Sequence, residues 1–162
     1  MRAALITIST SKAAGVGQDE SGLRLAEIAS RLGAEIVARE LIPDELTLIE
    51  ARLRHWSQGR RCDLVLTSGG TGLSPHDVTP EATRAVIERD APGISEAIRL
   101  ASQPHTPFWM LSRGVAGVRG ETFIVNFPGS PRSIDEVSDT LVPALAHAVA
   151  LIAGDDPRHA MP

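Results

Sequence analysis

Apolar residues fall into short runs that alternate with stripes at helical spacing. Ala3 to Ile8 is the first run, the length of a strand. After a loop at Gly15 to Gln18, the chain from Ser21 places Leu25, Ile28, Ala29 and Leu32 on one helical face until Gly33 stops it. Ile36 to Ile42 predicts a second strand. Pro43-Asp44 then predicts a helix start, with Leu46, Ile49, Leu53 and Trp56 on its apolar face and an end near Gly59. Leu64 to Thr67 predicts a third strand. Pro80 to Arg89 and Ser95 to Ser102 read as helices broken by Ala91-Pro92-Gly93. Phe108 to Leu111 and Thr122 to Phe127 read as strands, with Gly114, Gly117 and Gly120 marking a bent or edge segment between them. Ser130-Pro131, N-cap then Pro, opens a last helix carrying Ile134, Val137, Leu141, Leu145, Ala148 and Ile152 on one stripe. Residues 155 to 162 form a short polar tail expected to be loose. Strands alternating with helices indicate an α/β fold with a mainly parallel sheet covered on both faces.

The segment from Thr67 to Glu81, which contains Gly69-Gly70-Thr71-Gly72, places four backbone amides with almost no side-chain cover directly after the apolar run Leu64 to Leu66. Glycines let a ligand approach the main chain, and free N–H groups ahead of a helix favour phosphate. Thr79-Pro80 reads as that helix start, with Thr79 at the N-cap. A phosphorylated small molecule is the expected ligand class. The loop is not a P-loop, because no Lys lies between Gly69 and the next helix. Nor is it the dinucleotide fingerprint, which belongs to the first strand–helix turn, here Ser9 to Gly17.

Ligands in open α/β sheets bind beyond the carboxyl ends of the strands. Those ends lead here into Ser9-Thr10-Ser11-Lys12, Pro43-Asp44, the glycine loop with Asp77, and Asn126 to Ser130. Their shared edge is the predicted site. Asp44 also stands where a helix N-cap is expected, whereas Asp77 has no evident local partner once Thr79 takes the cap. His76 reads as a surface-loop histidine, Trp56 as core, and Cys62 as a small buried residue.

Composition narrows the function classes. The chain has 162 residues, consistent with one domain, and a domain of this size buries about 70% of its unfolded surface. A single cysteine excludes an internal disulfide and a thiolate zinc cluster, and points to a reducing compartment. The N-terminus reads as a strand rather than a secretory signal, and Leu141 to Ala153 falls short of the ~20 residues that cross a bilayer, so a cytoplasmic location without membrane partners is expected. A net charge of -4 and 3% aromatic residues argue against nucleic-acid binding.

Four ordered segments together, Leu41-Ile42-Pro43-Asp44-Glu45, Leu66 to Gly72, Asp77 to Ala82 and Pro128-Gly129-Ser130-Pro131, resemble the molybdopterin-binding family of molybdenum cofactor biosynthesis, especially its stand-alone adenylyltransferases. The resemblance implies a three-layer α/β/α arrangement with a mixed, mostly parallel sheet, and a homotrimer. It also implies transfer of AMP from Mg-ATP to the terminal phosphate of molybdopterin, followed by hand-over to a molybdate-insertion enzyme. Its two functional aspartates fall on Asp44 and Asp77, expected to be catalytic and to share Mg2+ with ATP. Phosphate donors are expected from Ser9, Ser68, Gly69, Gly70, Thr71, Gly72, Thr79, Gly129 and Ser130, with Lys12 as an added cation. Many relatives carry a Ser-Asp-Arg type segment after the first strand, where this chain has Ser9 to Lys12. A binding-only paralogue is the rival class, and both aspartates favour the enzyme.

Overall fold

The computed structural model describes residues 1–154, so the tail expected at 155–162 lies outside them. β1 (Arg2–Ile8), β2 (Glu35–Ile42), β3 (Leu64–Ser68), β4 (Arg89–Asp90), β5 (Ala116–Arg119) and β6 (Thr122–Phe127) build one sheet in the order β2-β1-β3-β6-β5-β4. β2, β1, β3 and β6 run parallel, and β5 runs antiparallel to both of its neighbours. The sheet is therefore mixed and mostly parallel, as expected.

The helices are α1 (Thr10–Ala13), α2 (Glu20–Arg31), α3 (Leu46–Ser57), α4 (Thr79–Arg84), α5 (Pro92–Ser102) and α6 (Pro131–Ala153). Alternate strand positions face opposite ways. Leu5, Leu66, Phe123 and Phe127 pack with α2, α5 and α6 in one core, while Ala4, Ile6, Val65 and Ile124 pack with α3 and α4 in the other. Two cores on two faces bury β1, β3 and β6 almost throughout, and each buried Leu or Phe contributes about 1.5–3 kcal/mol. α6 has the length and apolar content of a bilayer-crossing helix. Its stripe of Ile134, Val137, Leu141, Leu145 and Val149 is buried in the core against the sheet.

Register sets the site. Ile8 pairs with Ile42, Thr7 with Ser68, and Ser68 with Phe127, so four parallel strands end along one edge. The chain leaves β1 for β2 on one flank and returns as β3 on the other, which opens a crevice beyond the β1 and β3 ends.

Three expectations are corrected. The helix expected over Pro80 to Arg89 ends at Arg84, because the β5 edge captures the following residues. The Glu88 N–H donates to Val118 O (2.8 Å), and Arg89 and Asp90 pair with Val118 and Gly117. Gly117 permits this approach, since a Cβ there would stand 2.7 Å from Arg89 O. Phe108 to Leu111 is not a strand; Trp109–Leu111 forms a 3-10 turn, as β4 and β6 already occupy both edges of β5. On α3, Leu46 lies off the packed face, and Trp56 is half-buried with its indole N–H donating to Glu40 Oε1 (2.8 Å).

Candidate functional site

Loops from all four strand ends meet beyond this edge. The Ser9 N–H donates to Ile42 O (2.8 Å), drawing the loop after β1 onto the end of β2. Thr10 donates both its N–H (2.7 Å) and its hydroxyl (2.8 Å) to Asp44 Oδ2, and the Asp44 N–H donates back to that hydroxyl (3.0 Å). Asp44 therefore does not cap α3, whose N-cap is Glu45 without a side-chain bond. Its Oδ1 lies 3.2 Å from where a Cβ on Gly70 would stand.

The glycine loop is pressed into this junction. Gly69 adopts φ +104°, and a Cβ on it would lie 2.1 Å from Ile8 O. A Cβ on Gly129 would lie 3.3 Å from Gly69 Cα, and the Ser68 hydroxyl donates to Pro128 O (2.8 Å). The Ser21 hydroxyl, at the start of α2, ties Gly129 down through its carbonyl (2.8 Å). Asp77 does have a local partner: its Oδ2 accepts the Ser74 N–H (2.8 Å), while its own N–H donates to Ser74 O (2.9 Å). That Oδ2 also lies 2.9 Å from the Cβ position of Gly72. The two carboxylates thus stand beside Gly70 and Gly72, whose α-carbons can be at most about 7 Å apart.

A buried polar network supports the loop from beneath. The Thr79 hydroxyl donates to Gly69 O (2.9 Å) and its N–H to Gly70 O (3.1 Å). Thr79 is the first residue of α4 rather than its N-cap, which is Val78. The Thr83 hydroxyl donates to Thr79 O (2.9 Å), and Asn126 Nδ2 donates to the hydroxyls of Thr67 (2.9 Å) and Thr83 (3.0 Å). Asn126 Oδ1 accepts the Val115 N–H (3.1 Å). With every member paired, such a network rigidifies what it holds, and orphaning one costs about 1–3 kcal/mol.

Arg113 clamps the outer half of the loop. Its N–H donates to Thr71 O (2.9 Å), Nε to Gly72 O (2.7 Å) and one terminal nitrogen to Asp77 O (2.6 Å), while the other pairs with Glu81. Partial burial pushes the Glu81 pKa up, but hydrogen bonds from Arg113 and from its own N–H outweigh it and hold the carboxyl below its usual range.

The candidate donors divide in two. Ser68 and Thr79 are fully buried with committed hydroxyls, and the Gly69 N–H is aimed at Phe127 O (3.4 Å), so these three shape the site. The N–H groups of Gly70, Thr71 and Gly72 donate to no protein acceptor among the described residues. Gly129 and Ser130 are exposed at the start of α6, where the Ser130 hydroxyl makes no capping bond. Ser9 caps α1 through a long contact from the Lys12 N–H (3.5 Å), and the Lys12 ammonium has no ion pair among the described residues.

Sequence reasoning missed Thr10, Arg113 and the role of Asn126. Asn126 did signal itself as the one amide in the apolar run Thr122 to Phe127, while Arg113 is one of sixteen basic residues and carries no local mark.

Among the described residues no three His, Cys, Asp or Glu side chains group as a metal cage. The second oxygen of each carboxylate accepts no protein hydrogen bond among them. Two such oxygens fit Mg2+, which commonly uses one or two carboxylates together with substrate phosphates.

Comparison with known proteins supplies the family. Residues 4–147 match the family model described as "Probable molybdopterin binding domain". A molybdopterin adenylyltransferase of Helicobacter pylori J99 is 38% identical over 153 residues, which cover 93% of this chain and 87% of that protein. The molybdenum cofactor synthesis protein cinnamon of Drosophila melanogaster is 41% identical over 140 residues, 86% of this chain but 23% of that protein. The crystal structure of the molybdopterin biosynthesis enzyme MoaB from Thermus thermophilus superposes with a TM-score of 0.87 at 44% identity, covering 94% of this chain and 96% of that one. With its three layers, its strand-end junction and these matches, the chain belongs to the molybdopterin-binding domain family.

Proposed function

We propose that this chain transfers the adenylyl group of ATP to the terminal phosphate of molybdopterin in molybdenum cofactor biosynthesis. The observation that carries this reading is the placement of Asp44 and Asp77 beside the unpartnered N–H groups of Gly70, Thr71 and Gly72. An oxygen of the molybdopterin phosphate attacks the α-phosphorus of ATP. The bond from that phosphorus to the bridging oxygen breaks, and pyrophosphate leaves with the electron pair. The attacking phosphate has its second ionisation near pH 6 and needs no strong base.

The obstacle is charge. Two like charges 4 Å apart at an effective dielectric of about 20 repel by ~4 kcal/mol. The free N–H groups, the Ser130 hydroxyl at the start of α6, and Lys12 offset it by donating to phosphate oxygens. Asp44 and Asp77 would hold Mg2+, which when bound neutralises phosphate charge. One of the two carboxylates can instead accept the paired N–H donors of the pterin ring.

Three further features belong to this reading. A homotrimer is supported by the exposed apolar side chains of Leu100, Phe108, Met110 and Leu111, and sedimentation tests it. A reducing, cytoplasmic setting is supported by the single cysteine. Hand-over to a molybdate-insertion enzyme is supported by a relative in which the matched segment is 23% of a longer chain.

A coupled assay with ATP, Mg2+ and molybdopterin tests the central reading. Pyrophosphate should appear in step with adenylylated molybdopterin; saturable molybdopterin binding without pyrophosphate would leave a binding-only domain.

A further inference from the structure

Beside Arg113 the surface opens a cleft of about 400 Å3, lined by Arg84, Asp90, Ser95, Arg99, Arg113 and the main chain from Gly114. A second cavity of the same volume, on the outer face of α2, has its arginine paired: Arg24 contacts both Glu27 and Asp135. The cleft differs. The side chains of Arg84 and Arg99 make no hydrogen bond or ion pair among the described residues, and neither does that of Asp90, while the Arg84 charge also helps to lower the Glu81 pKa. Ser95 is only 7% exposed, yet its hydroxyl has no partner and is not sealed from solvent, so it opens on the cleft. Arg113 is already neutralised by Glu81.

We propose that this cleft is a second anion site that takes a phosphate monoester, with Arg84 and Arg99 as its cations and Ser95 as its hydroxyl donor. Guanidinium groups pair with phosphate oxygens through two parallel hydrogen bonds, which a lone ammonium cannot do. Arg84, Arg99 and Arg113 against Asp90 and Glu81 leave one excess positive charge, which suits a single phosphate group better than a polyphosphate. The volume exceeds what a free phosphate fills and lies in the range of small-molecule sites. Pro92, Val115 and Ala116 provide apolar wall for the ester substituent. The site does not depend on adenylyl transfer. Arg113 is the residue common to the cleft and the glycine loop.

Residue-resolved NMR titration tests it, with phenyl phosphate and inorganic phosphate as probes. Phenyl phosphate should shift the side-chain Nε–H signals of Arg84 and Arg99 and the amides of Ser95 and Gly114 saturably, at lower concentration than inorganic phosphate. The double variant Arg84→Gln, Arg99→Gln, both on the surface, should weaken that binding by about tenfold or more, the loss expected for removing charge-assisted hydrogen bonds. Shifts confined to the amides of Gly70 to Gly72, or equal saturation in the double variant, would overturn the site. Equal or tighter binding of inorganic phosphate would overturn the ester. Loss of pyrophosphate release with these shifts intact would count against adenylyl transfer alone.

Discussion

Thr10 and Asp44 hold each other through three hydrogen bonds of 2.7 to 3.0 Å across two loops that are 34 residues apart in sequence. Tether and charge are separable here. Asp44→Asn keeps an acceptor oxygen for Thr10 and removes the charge, so thermal unfolding should stay near wild type while pyrophosphate release falls. Thr10→Val removes the hydroxyl and keeps the charge, and should cost about 1–2 kcal/mol in denaturant unfolding. A variant Asp44→Asn with wild-type turnover would remove Asp44 from the chemistry.

Asp77→Asn preserves an oxygen for the Ser74 N–H, so stability should change by no more than about 0.5 kcal/mol. Turnover should fall by about 10²–10³-fold, the usual loss when one group stabilising phosphoryl charge is deleted. Steady-state kinetics with calorimetric molybdopterin binding separates the two effects.

Gly69→Ala is expected to be far more damaging than its single methyl suggests. The residue is held at φ +104°, and the new Cβ would stand 2.1 Å from Ile8 O, a backbone atom of a central strand. Strain alone costs about 1–3 kcal/mol, and the displaced carbonyl adds to it. Urea unfolding should show a loss above that range; a midpoint near wild type would mean that the loop lies elsewhere.

Arg113→Lys retains a positive charge but cannot reach Gly72 O, Asp77 O and Glu81 together. Amide exchange at Ser74 and Asp77 should accelerate, and kcat should fall more than molybdopterin affinity. The exposed pair with Glu81 accounts for at most about 1 kcal/mol, so Glu81→Gln should do much less. Because the Glu81 pKa is lowered, its share is present above the ordinary carboxyl range and lost as acid protonates it.

Burial raises the Cys62 thiol from 9.0 to about 11. The unfolded chain gives up this proton first, so stability should decline as pH rises between about 9 and about 11, and Cys62→Ala should flatten that decline. At neutral pH a thiol reagent should label Cys62 only as fast as the protein opens. Rapid labelling of the native protein would place the thiol at the surface.

The central strands β1, β3 and β6, buried on two faces, were readable because their apolar runs have no other use, and the partly exposed edge strand β2 was also anticipated within a residue or two. The meeting of strand-end loops was readable too, since parallel strands collect their carboxyl ends. Local signals misled wherever a distant partner decided the outcome. Asp44 looked like a cap until Thr10 reached it, Asp77 looked unpartnered until Ser74 turned back, and Arg89 left its helix for the edge of β5. Arg113 was invisible for the same reason, because the partners of its side chain lie 32 to 41 residues away.

One border of the sheet is a strand of only two residues, Arg89 and Asp90, both charged and exposed. So short a ladder offers almost no template for a neighbouring backbone. A neighbouring chain that approached this border would find no backbone ladder long enough to extend, so the sheet is closed to strand addition there.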